Sequence, residues 1–485
     1  MKKHIKLILA VLLLLILGAY FCISRCSKDD TPTYTQSFRP SSLHFAPQHG
    51  WMNDPNGMVY KDGEYHLFFQ HHPKEIVWAE MHWGHAVSKD LVSWEELPIA
   101  LFPDENGMIF SGSCVIDHNN TAGFGKDAMV AIYTACKITH KGDIQAQAIA
   151  YSTDNGRTFT KYNDGLPVLT DSCPDFRDPK VFWYEKEKKW VMSLAVQQEV
   201  RFYSSKDLKK WTFTGKFGKG YGNHHGVWEC PDLFFLDDKW VLIVNINPGG
   251  IWGGSATQYF VGEFDGKTFT CDTPIGTTQW MDYGKDHYAT VTWNEVPDGR
   301  RIGITWLNNW EYATRVPATE FRSTMSVPVE LSLQQHGDGY RLVSQPAREV
   351  DSLRQEVAAV SEVCNGSYEI DVTVQPKDGK SSFTLFNNKG EKVVFTYNFT
   401  TREFSMDRRK SGLTKFAESF YAITSASIDD STAPQQLRII VDRQSVEIFD
   451  QSGQFSMTNM VFPEEPYTDL KADGEGIEYK VYKLK

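Results

Sequence analysis

Short apolar runs separated by polar turns follow one another from about residue 45 to residue 345, a pattern that predicts β-hairpins rather than helices. Three of these hairpins share one plan: an acid and a proline at the entrance, an apolar run, a polar turn and a second apolar run. They begin at Asp54-Pro55, at Asp178-Pro179 and at Glu229-Cys230-Pro231. If the three units surround a common axis, their carboxylates converge at one point.

A second signature recurs with a period of roughly 50–60 residues, as expected for β-propeller blades of about four strands each. Its copies are Ser88-Lys89-Asp90, Ser152-Thr153-Asp154, Ser205-Lys206-Asp207 and Phe264-Asp265-Gly266. The hairpin starts give an independent count of five units, because they fall near Asp54, Ser111, Asp178, Glu229 and Asp286. In a propeller the first strand of each blade lines the central channel, so equivalent strand starts meet at one mouth of it. We therefore predict an all-β fold with a five-bladed propeller over residues 41–345.

The last third of the chain predicts a different β-fold. Residues 346–360 are predicted to be a linker, with mild helical character from Asp351 to Val360. From residue 361 to residue 485, about seven alternating or β-branched segments follow one another with no helical pattern between them. This arrangement is typical of an antiparallel β-sandwich.

The N-terminus predicts export. Three lysines precede an apolar run from Leu7 to about Phe21, which is the pattern of a secretory signal over residues 1–26. A retained membrane anchor is the alternative, since the run approaches the lower limit for crossing a bilayer. Cys26 or Cys22 is the candidate lipidation site, because Cys26-Ser27-Lys28-Asp29-Asp30 resembles the acidic export tag of bacterial surface lipoproteins. With residues 27–40 as a tether, we expect a lipid-anchored protein at the cell surface or in the periplasm.

Composition narrows the partners but identifies none. The formal net charge of −11 argues against nucleic acid and anionic lipid. Six further cysteines are scattered along the chain. One disulfide bond among them is possible, but the sequence does not identify the pair. The histidine pairs at residues 71–72, 82/85 and 224–225 lack a cysteine or carboxylate at zinc-site spacing, so we predict no metal and no cofactor. The sequence does not determine the oligomeric state.

The three acids suit the chemistry of a retaining glycosidase, in which one carboxylate attacks the sugar and a second carboxyl group donates and then removes a proton. A third acid can stabilise the charge that develops on the ring. The two reacting carboxyl groups need different environments. Asn53 adjoins Asp54 and can donate to it, Arg177 adjoins Asp178, and the ring of Trp228 next to Glu229 is expected to desolvate that acid.

Trp51-Met52-Asn53-Asp54-Pro55-Asn56-Gly57, Arg177-Asp178-Pro179 and Trp228-Glu229-Cys230-Pro231 resemble, in order, the three signature motifs of glycoside hydrolase family 32, the invertase and fructan hydrolase family. The resemblance covers about residue 43 to the end, and includes Met81-His82-Trp83-Gly84-His85 and the sandwich segment Met406-Asp407-Arg408-Arg409. It implies a five-bladed propeller with an appended sandwich, and metal-free hydrolysis of β-fructofuranosyl bonds with retention of configuration. The substrate would be levan, inulin, a fructo-oligosaccharide or sucrose.

The family resemblance also implies roles for individual residues. Asp54 would be the nucleophile, Glu229 the acid/base and Asp178 the transition-state stabiliser. The fructose pocket would be lined by Asn53, Gln70, Trp78, Phe110, Ser111, Arg177 and Trp310.

Two positions depart from the family pattern and affect only the expected substrate preference. Glu80 replaces an asparagine before the Met81–His85 motif, and His287 replaces an aromatic residue after Asp286. Exo-action that releases fructose is the leading hypothesis. An endo-acting levanase and a non-catalytic carbohydrate-binding propeller remain as alternatives, and linkage and chain-length preference stay open.

Overall fold

In this computed structural model, the described residues are 34–363 and 366–485. The predicted signal segment, both candidate lipidation cysteines and Cys364 lie outside them. The five other cysteines are all free thiols: Cys114, Cys136, Cys173, Cys230 and Cys271. No helix in the described part of the chain is long and apolar enough to cross a bilayer.

Five antiparallel sheets follow one another along the chain. The first is formed by β1 (Gly50–Lys61), β2 (Glu64–His72), β3 (His82–Ser88) and β4 (Glu95–Leu101). The second is formed by β5 (Met108–Asp117), β6 (Ala128–Lys137), β7 (Ile144–Ser152), β8 (Thr160–Lys161) and β9 (Leu169–Thr170). The third is formed by β10 (Phe176–Tyr184), β11 (Lys189–Val196), β12 (Glu199–Ser205) and β13 (Thr212–Phe217).

The fourth and fifth sheets complete the set. The fourth is formed by β14 (Val227–Leu236), β15 (Lys239–Asn247), β16 (Ala256–Phe264), β17 (Phe269–Cys271) and β18 (Gln279–Trp280). The fifth is formed by β19 (Tyr288–Thr292), β20 (Arg301–Leu307), β22 (Thr324–Met325), β23 (Val329–His336) and β24 (Gly339–Pro346). The short strand β21 (Phe321–Arg322) pairs in parallel with β1 and so joins the end of the series to its beginning.

The five sheets close into a ring. The first strand of each sheet contacts the first strand of the next, in the order β1, β5, β10, β14, β19 and back to β1. Strands such as β6 are buried almost throughout, because neighbouring sheets cover both of their faces. The predicted five-bladed propeller is therefore confirmed.

The repeated serine–aspartate signature forms the same turn in successive blades. In the first blade, Asp90 Oδ1 accepts hydrogen bonds from Ser88 Oγ (3.0 Å) and from the backbone N–H groups of Val92 (3.1 Å) and Ser93 (2.7 Å). The serine–aspartate contact recurs at 2.7 Å in the second blade and 3.1 Å in the third. The signature is thus a turn device that ends the third strand of a blade.

The C-terminal part forms two antiparallel sheets packed over one apolar core, which confirms the predicted sandwich. The six-stranded sheet contains, in spatial order, β25 (Arg354–Val357), β35 (Ile477–Leu484), β26 (Tyr368–Val374), β31 (Gln435–Asp442), β32 (Ser445–Asp450) and β33 (Ser456–Met460). The five-stranded sheet contains β30 (Ile423–Ser427), β29 (Glu403–Lys410), β28 (Lys392–Asn398), β27 (Lys380–Phe386) and β34 (Asp469–Asp473).

The junctions differ from expectation at two places. The segment expected to be a mildly helical linker contains one short helix, α1 (Arg348–Asp351), and then β25, which pairs with the C-terminal strand β35. The expected tether is shorter than residues 27–40, because Phe38 is buried against Phe462. Both differences arise from contacts with residues far along the chain. The remaining helical turns are 3₁₀ segments at Tyr162–Gly165, Glu185–Glu187, Pro297–Gly299, Val360–Glu362 and Glu418–Phe420.

Candidate active site

All five innermost strands of the propeller change register near the same mouth of the channel. The shifts lie between Met52 and Pro55 in β1, Ile109 and Gly112 in β5, Arg177 and Lys180 in β10, Glu229 and Asp232 in β14, and Tyr288 and Val291 in β19. A bulge turns side chains away from the regular alternation of a strand and often lies beside an active site. Pro179 and Pro231 lie within these irregular positions, where a missing N–H costs no ladder hydrogen bond, and Pro55 borders the one in β1.

The bulges hold residues in left-handed backbone conformations. Asp178 has a φ of 65°, Cys230 of 44° and Ala289 of 56°. Such values are uncommon for residues other than glycine, and they cluster at functional sites. The backbone at the channel mouth is therefore irregular in a way that directs side chains into one cavity.

A cavity of about 330 Å³ lies at this mouth. All ten site residues expected from the sequence line it: Asn53, Asp54, Gln70, Trp78, Phe110, Ser111, Arg177, Asp178, Glu229 and Trp310. Five further lining residues were not predicted: Asp143, Gln145, Asp175, Asn247 and Tyr288.

Two hydrogen bonds hold the carboxylate of Asp54 from opposite sides. Asn53 Nδ2 donates to Oδ1 (2.9 Å) and Ser111 Oγ donates to Oδ2 (2.6 Å). Asn53 is itself oriented, because Trp51 Nε1 donates to its side-chain oxygen (2.7 Å). Residues of β1 and β5 together therefore fix the orientation of this acid.

Cys230 contacts both Asp54 and Asp178 through its backbone and its thiol. Its N–H donates to Asp178 Oδ2 at 3.0 Å. Its Sγ lies 3.6 Å from Asp54 Oδ2 and 3.7 Å from Asp178 Oδ2. Burial, together with these nearby carboxylates, raises the pKa of the thiol well above its usual range. Cys230 is therefore a protonated hydrogen-bonding thiol.

Two groups hold the carboxyl group of Glu229. Arg177 Nη2 donates to Oε1 (2.8 Å), and the hydroxyl of Tyr288 bonds to Oε2. Arg177 also contacts Asp175 (2.5 Å) and lies 3.9 Å from Asp178 through Nε. One guanidinium thus links acids from blades three and four.

The crowding of acids changes their ionisation. Burial raises the pKa of Asp54, an effect opposed by the donors Ser111 and Asn53 and reinforced by the charge of Glu229. Burial also raises the pKa of Asp178 to about 7, with Arg177 lowering it and the other two acids raising it. Burial and the nearby like charges therefore make Asp54 and Asp178 harder to ionise than free carboxyl groups.

A buried polar cluster that does not line the cavity joins three of the innermost strands. Further along the innermost strands, Lys180 Nζ contacts Asp232 Oδ2 (3.0 Å) and the backbone oxygen of Thr292, and these residues are buried. Asp232 also accepts from the backbone N–H of Thr292 (2.7 Å). These buried contacts join the innermost strands of blades three, four and five.

Several neighbours of the motifs lie outside this cavity. Trp228 belongs to the core between blades, with its Nε1 donating to the Asn223 carbonyl (2.8 Å), so it is not the residue against Glu229. His287 contacts the hydroxyl groups of Thr257 (3.1 Å) in the fourth blade and Thr305 (3.1 Å) in the fifth. Local alternation explains both cases, because residues next to an inward-facing side chain point the other way.

Glu80, Trp252 and several of the paired histidines form contacts outside the cavity. Glu80 is exposed and pairs with Lys74 (3.3 Å) in a neighbouring surface groove that shares Trp78 with the cavity. Trp252 donates to the Tyr283 carbonyl (2.7 Å) and does not line the cavity. Several paired histidines bond to backbone oxygens: His71 to Trp51, His72 to Val77, His82 to Glu80 and His224 to Gly218. Within residues 34–363 and 366–485, no group of three or more His, Cys, Asp or Glu side chains could hold a metal ion.

Tyr288 is the most important residue that the sequence did not single out. It is the last paired residue before the register shift of β19, the place that Glu229 holds in β14 and Arg177 holds in β10. Equivalence of the blades was the signal that could have identified it. Asp143, Gln145 and Asp175 carry no such mark, because they reach the cavity from a loop, from β7 and from the approach to β10.

The chain matches two family models: the glycosyl hydrolases family 32 N-terminal domain over residues 44–346, and the glycosyl hydrolases family 32 C-terminal model over residues 340–484. A levanase of Bacillus subtilis (strain 168) is 42% identical, over 99% of this chain and 74% of that protein. An extracellular exo-inulinase of Aspergillus awamori is 37% identical, over 93% of this chain and 95% of that protein. A crystal structure of exo-inulinase from the same organism has a TM-score of 0.84 at 35% identity, covering 93% of this chain and 99% of that one.

The fold and the cavity define a glycosidase that acts on O-glycosyl bonds. The chain belongs to glycosyl hydrolases family 32.

Proposed function

We propose that this protein is an exo-acting β-fructofuranosidase that releases fructose from the non-reducing end of fructans such as levan and inulin, and from sucrose, by double displacement. The observation that carries the proposal is the convergence of Asp54, Asp178 and Glu229 on one cavity. The relatives named levanase and exo-inulinase support the substrate class.

In the first step, the Asp54 carboxylate attacks the anomeric carbon of the terminal fructosyl unit. The bond from that carbon to the leaving oxygen breaks, and Glu229 transfers its proton to this oxygen. The products of the step are a fructosyl ester of Asp54 and the shortened chain. Ser111 and Asn53 hold the Asp54 oxygens throughout, which keeps the nucleophile oriented.

In the second step, Glu229 removes a proton from water, and the water oxygen attacks the same carbon. The ester bond breaks, fructose leaves with its original configuration, and Asp54 returns as a carboxylate. Arg177 and Tyr288 hold the Glu229 carboxyl in one place for both proton transfers.

Asp178 has the role of stabiliser. Its buried carboxyl accepts from the Cys230 N–H and lies near Arg177. A negative charge held there stabilises the positive charge that develops on the furanose ring. Its place beside both reacting acids also allows it to bind fructose hydroxyl groups.

The pocket favours exo-action over the endo-acting alternative. A cavity of about 330 Å³ is near the lower end of the range for small-molecule sites, roughly 300–1,000 Å³. The buried contacts of Lys180, Asp232 and Thr292 further along the same strands support a pocket that receives the end of a chain. The relatives named exo-inulinase point the same way. A binder without catalysis would need neither a held nucleophile nor a held acid/base.

Export belongs to the same proposal. The basic residues and apolar run at the N-terminus support secretion, as does the similarity to an extracellular exo-inulinase. We also propose that Cys26 or Cys22 carries a lipid that anchors the enzyme. Radiolabelled palmitate incorporation into wild type, Cys26→Ala and Cys22→Ala tests this, and absence of label from the wild type contradicts it.

Product analysis tests the activity. Purified protein is incubated with levan, inulin and sucrose, and products are separated by chromatography at early times. Fructose as the sole early product from both polymers is expected. An oligosaccharide ladder contradicts exo-action, and unchanged polymers together with unchanged sucrose contradict hydrolysis. Asp54→Asn, measured in parallel, gives the background of a protein with its nucleophile removed.

A further inference from the structure

The chain segment that leads into β19 lies along the edge strand β33 of the sandwich. The N–H of Tyr283 donates to the Ser456 carbonyl (2.8 Å), and the N–H of Asp286 donates to the Thr458 carbonyl (3.1 Å). Gly284 permits this approach, because a Cβ there would stand 2.0 Å from the Thr458 oxygen. The propeller segment thus covers a strand edge that would otherwise be unpaired.

Arg408, from β29 of the sandwich, reaches into the same region. Its guanidinium pairs with the carboxylate of Asp286 through Nη1 and donates to the Tyr312 hydroxyl through Nη2 (2.9 Å). That hydroxyl in turn donates to Asp286 Oδ1 (2.5 Å). The side chains of Arg408 and Asp286 are 1% and 0% exposed, so a single buried cation holds two separate propeller segments together.

Each of these two segments carries a cavity residue two positions away. Tyr288 follows Asp286 and bonds to Glu229, while Trp310 precedes Tyr312 and lines the cavity. Two residues span at most about 7 Å of chain. A displacement of either anchor is therefore transmitted to the cavity with little room for compensation.

We propose that Arg408 is a positioning residue for the active site: by binding Asp286 and Tyr312 together, the sandwich sets Tyr288 against Glu229 and Trp310 at the wall of the cavity. The inference rests on the proposed function and extends it, since it makes the C-terminal sandwich part of the catalytic apparatus. A buried ion pair contributes little to stability by itself compared with apolar packing, but it can specify one geometry.

The contact between sandwich and propeller has other polar links that do not reach the cavity. Arg341 of β24 pairs with Asp429 of the sandwich (2.7 Å), and both are partly exposed. Glu447 of β32 accepts from the N–H of Val327 (3.1 Å). These links join the same two parts of the molecule, so they provide controls that separate attachment from positioning.

The test uses the full chain and a double-mutant cycle on two hydroxyl groups. Tyr312→Phe removes only the oxygen that bridges Arg408 and Asp286, and Tyr288→Phe removes only the oxygen on Glu229. The kcat/KM for inulin and its pH profile are measured for both single variants, for the double variant and for Arg408→Lys, per mole of folded protein. Arg341→Ala is the matched control.

Positioning predicts a specific pattern. Tyr312→Phe should lower kcat/KM by about 10-fold to 100-fold, the range expected when a distant change displaces a catalytic group slightly. The double variant should be no worse than Tyr288→Phe alone, because both changes act through the same contact. The pH profile of Tyr312→Phe should shift in the direction of the Tyr288→Phe profile, and Arg408→Lys should behave like Tyr312→Phe.

Three results would overturn the proposal. Fold-losses that multiply in the double variant would show independent effects, and an unchanged kcat/KM in Tyr312→Phe would show no effect. An equal loss of kcat/KM in Arg341→Ala would show that any weakening of the contact between sandwich and propeller lowers activity. Failure of the proposed function is distinguishable from all three, because then the wild type itself would not release fructose.

Discussion

The strands of the sandwich and the innermost strands of the propeller obey opposite rules. In β28, Val393, Phe395 and Tyr397 are buried while the residues between them are partly exposed, which is the regular alternation of a sheet with one apolar face. In β10 and β14 the alternation breaks where the sequence reads acid or cysteine before proline, and the backbone enters the left-handed region. Regular strands build the core, and irregular strand starts build the site.

The contrast has a physical cause. A core strand is stabilised by matching its neighbours, so every local preference agrees with the fold. A catalytic pocket needs several acids in one small volume, and that arrangement costs free energy that the surrounding sheets must offset. The raised pKa values of Asp54 and Asp178 reflect this cost in the ionised state.

The largest expected effect is the loss of activity when a catalytic acid on one of the irregular strands is removed. Asp54→Ala and Glu229→Ala should each lower kcat/KM for inulin by at least about 10³-fold, or roughly 4 kcal/mol of transition-state stabilisation. The exposed Asp338 provides a matched acid, and Asp338→Asn should retain full activity. Steady-state kinetics of the purified variants measure all three.

Added azide distinguishes the nucleophile, Asp54, from the acid/base, Glu229. In Glu229→Ala, azide should attack the fructosyl ester and give a β-fructosyl azide; in Asp54→Ala, it should attack the substrate directly and give the α-anomer. The reversed pattern would exchange the two roles. Glu229→Ala with near-full activity on inulin would remove the acid/base assignment altogether.

The next largest effect is expected from the addition of one methyl group at a bulge. Gly57 has a φ of +56°, and a Cβ there would lie 2.5 Å from a ring atom of Phe68 and 2.9 Å from one of Trp83. Gly57→Ala should therefore lower the free energy of unfolding by about 2–4 kcal/mol through strain and overpacking. Urea unfolding measures the change, and Gly63→Ala, which has a similar φ but open space around it, isolates the packing component.

The ionisation of Asp178 gives a smaller effect with a definite sign. Its pKa in the folded protein is about 7, against an ordinary value of 3.8. A raised carboxyl pKa means that the folded state binds the proton more tightly, so this stabilising contribution is full below about pH 4 and is lost as the pH rises to about 7. Asp178→Asn should be more stable than the wild type at pH 8 by about 1–3 kcal/mol, while losing activity.

The difference between Asp178→Asn and the wild type should shrink as the pH falls to 4, where the wild-type carboxyl is protonated. Urea unfolding at both pH values measures it. A variant that is less stable than the wild type at pH 8 would show that the ionised acid is well compensated, contrary to the pKa shift.

The smallest effect is expected from a substitution in a regular strand of the sandwich. Thr396 lies on the partly exposed face of β28, opposite Ser382 and Ser405. Thr396→Val keeps the shape and the β-propensity of the side chain, so the free energy of unfolding should change by less than about 0.5 kcal/mol. A loss as large as that of Gly57→Ala would mean that the regular strands are no more tolerant than the bulges.

Much of the fold follows from local pattern. Alternation along short segments identified the strands, the serine–aspartate turn marked the end of the third strand in successive blades, and five equivalent hairpin starts predicted the ring. The equivalent hairpin starts predicted the three acids, and the resemblance to glycoside hydrolase family 32 implied the seven other expected cavity residues. Trp228 was misjudged because neighbouring residues on a strand face opposite ways, and the bulge brought Glu229 and not Trp228 into the cavity.

The sequence by itself thus determined the strands, the blade count and the acids that face the channel, because periodicity and turn chemistry act between residues close in the chain. Only the tertiary structure decided that Tyr288 bonds to Glu229, that β25 joins the sandwich sheet, and that Arg408 binds Asp286 and Tyr312. These contacts join residues dozens to more than a hundred positions apart, and they arise from the closure of the ring and the packing of the sandwich against it, which no local pattern records.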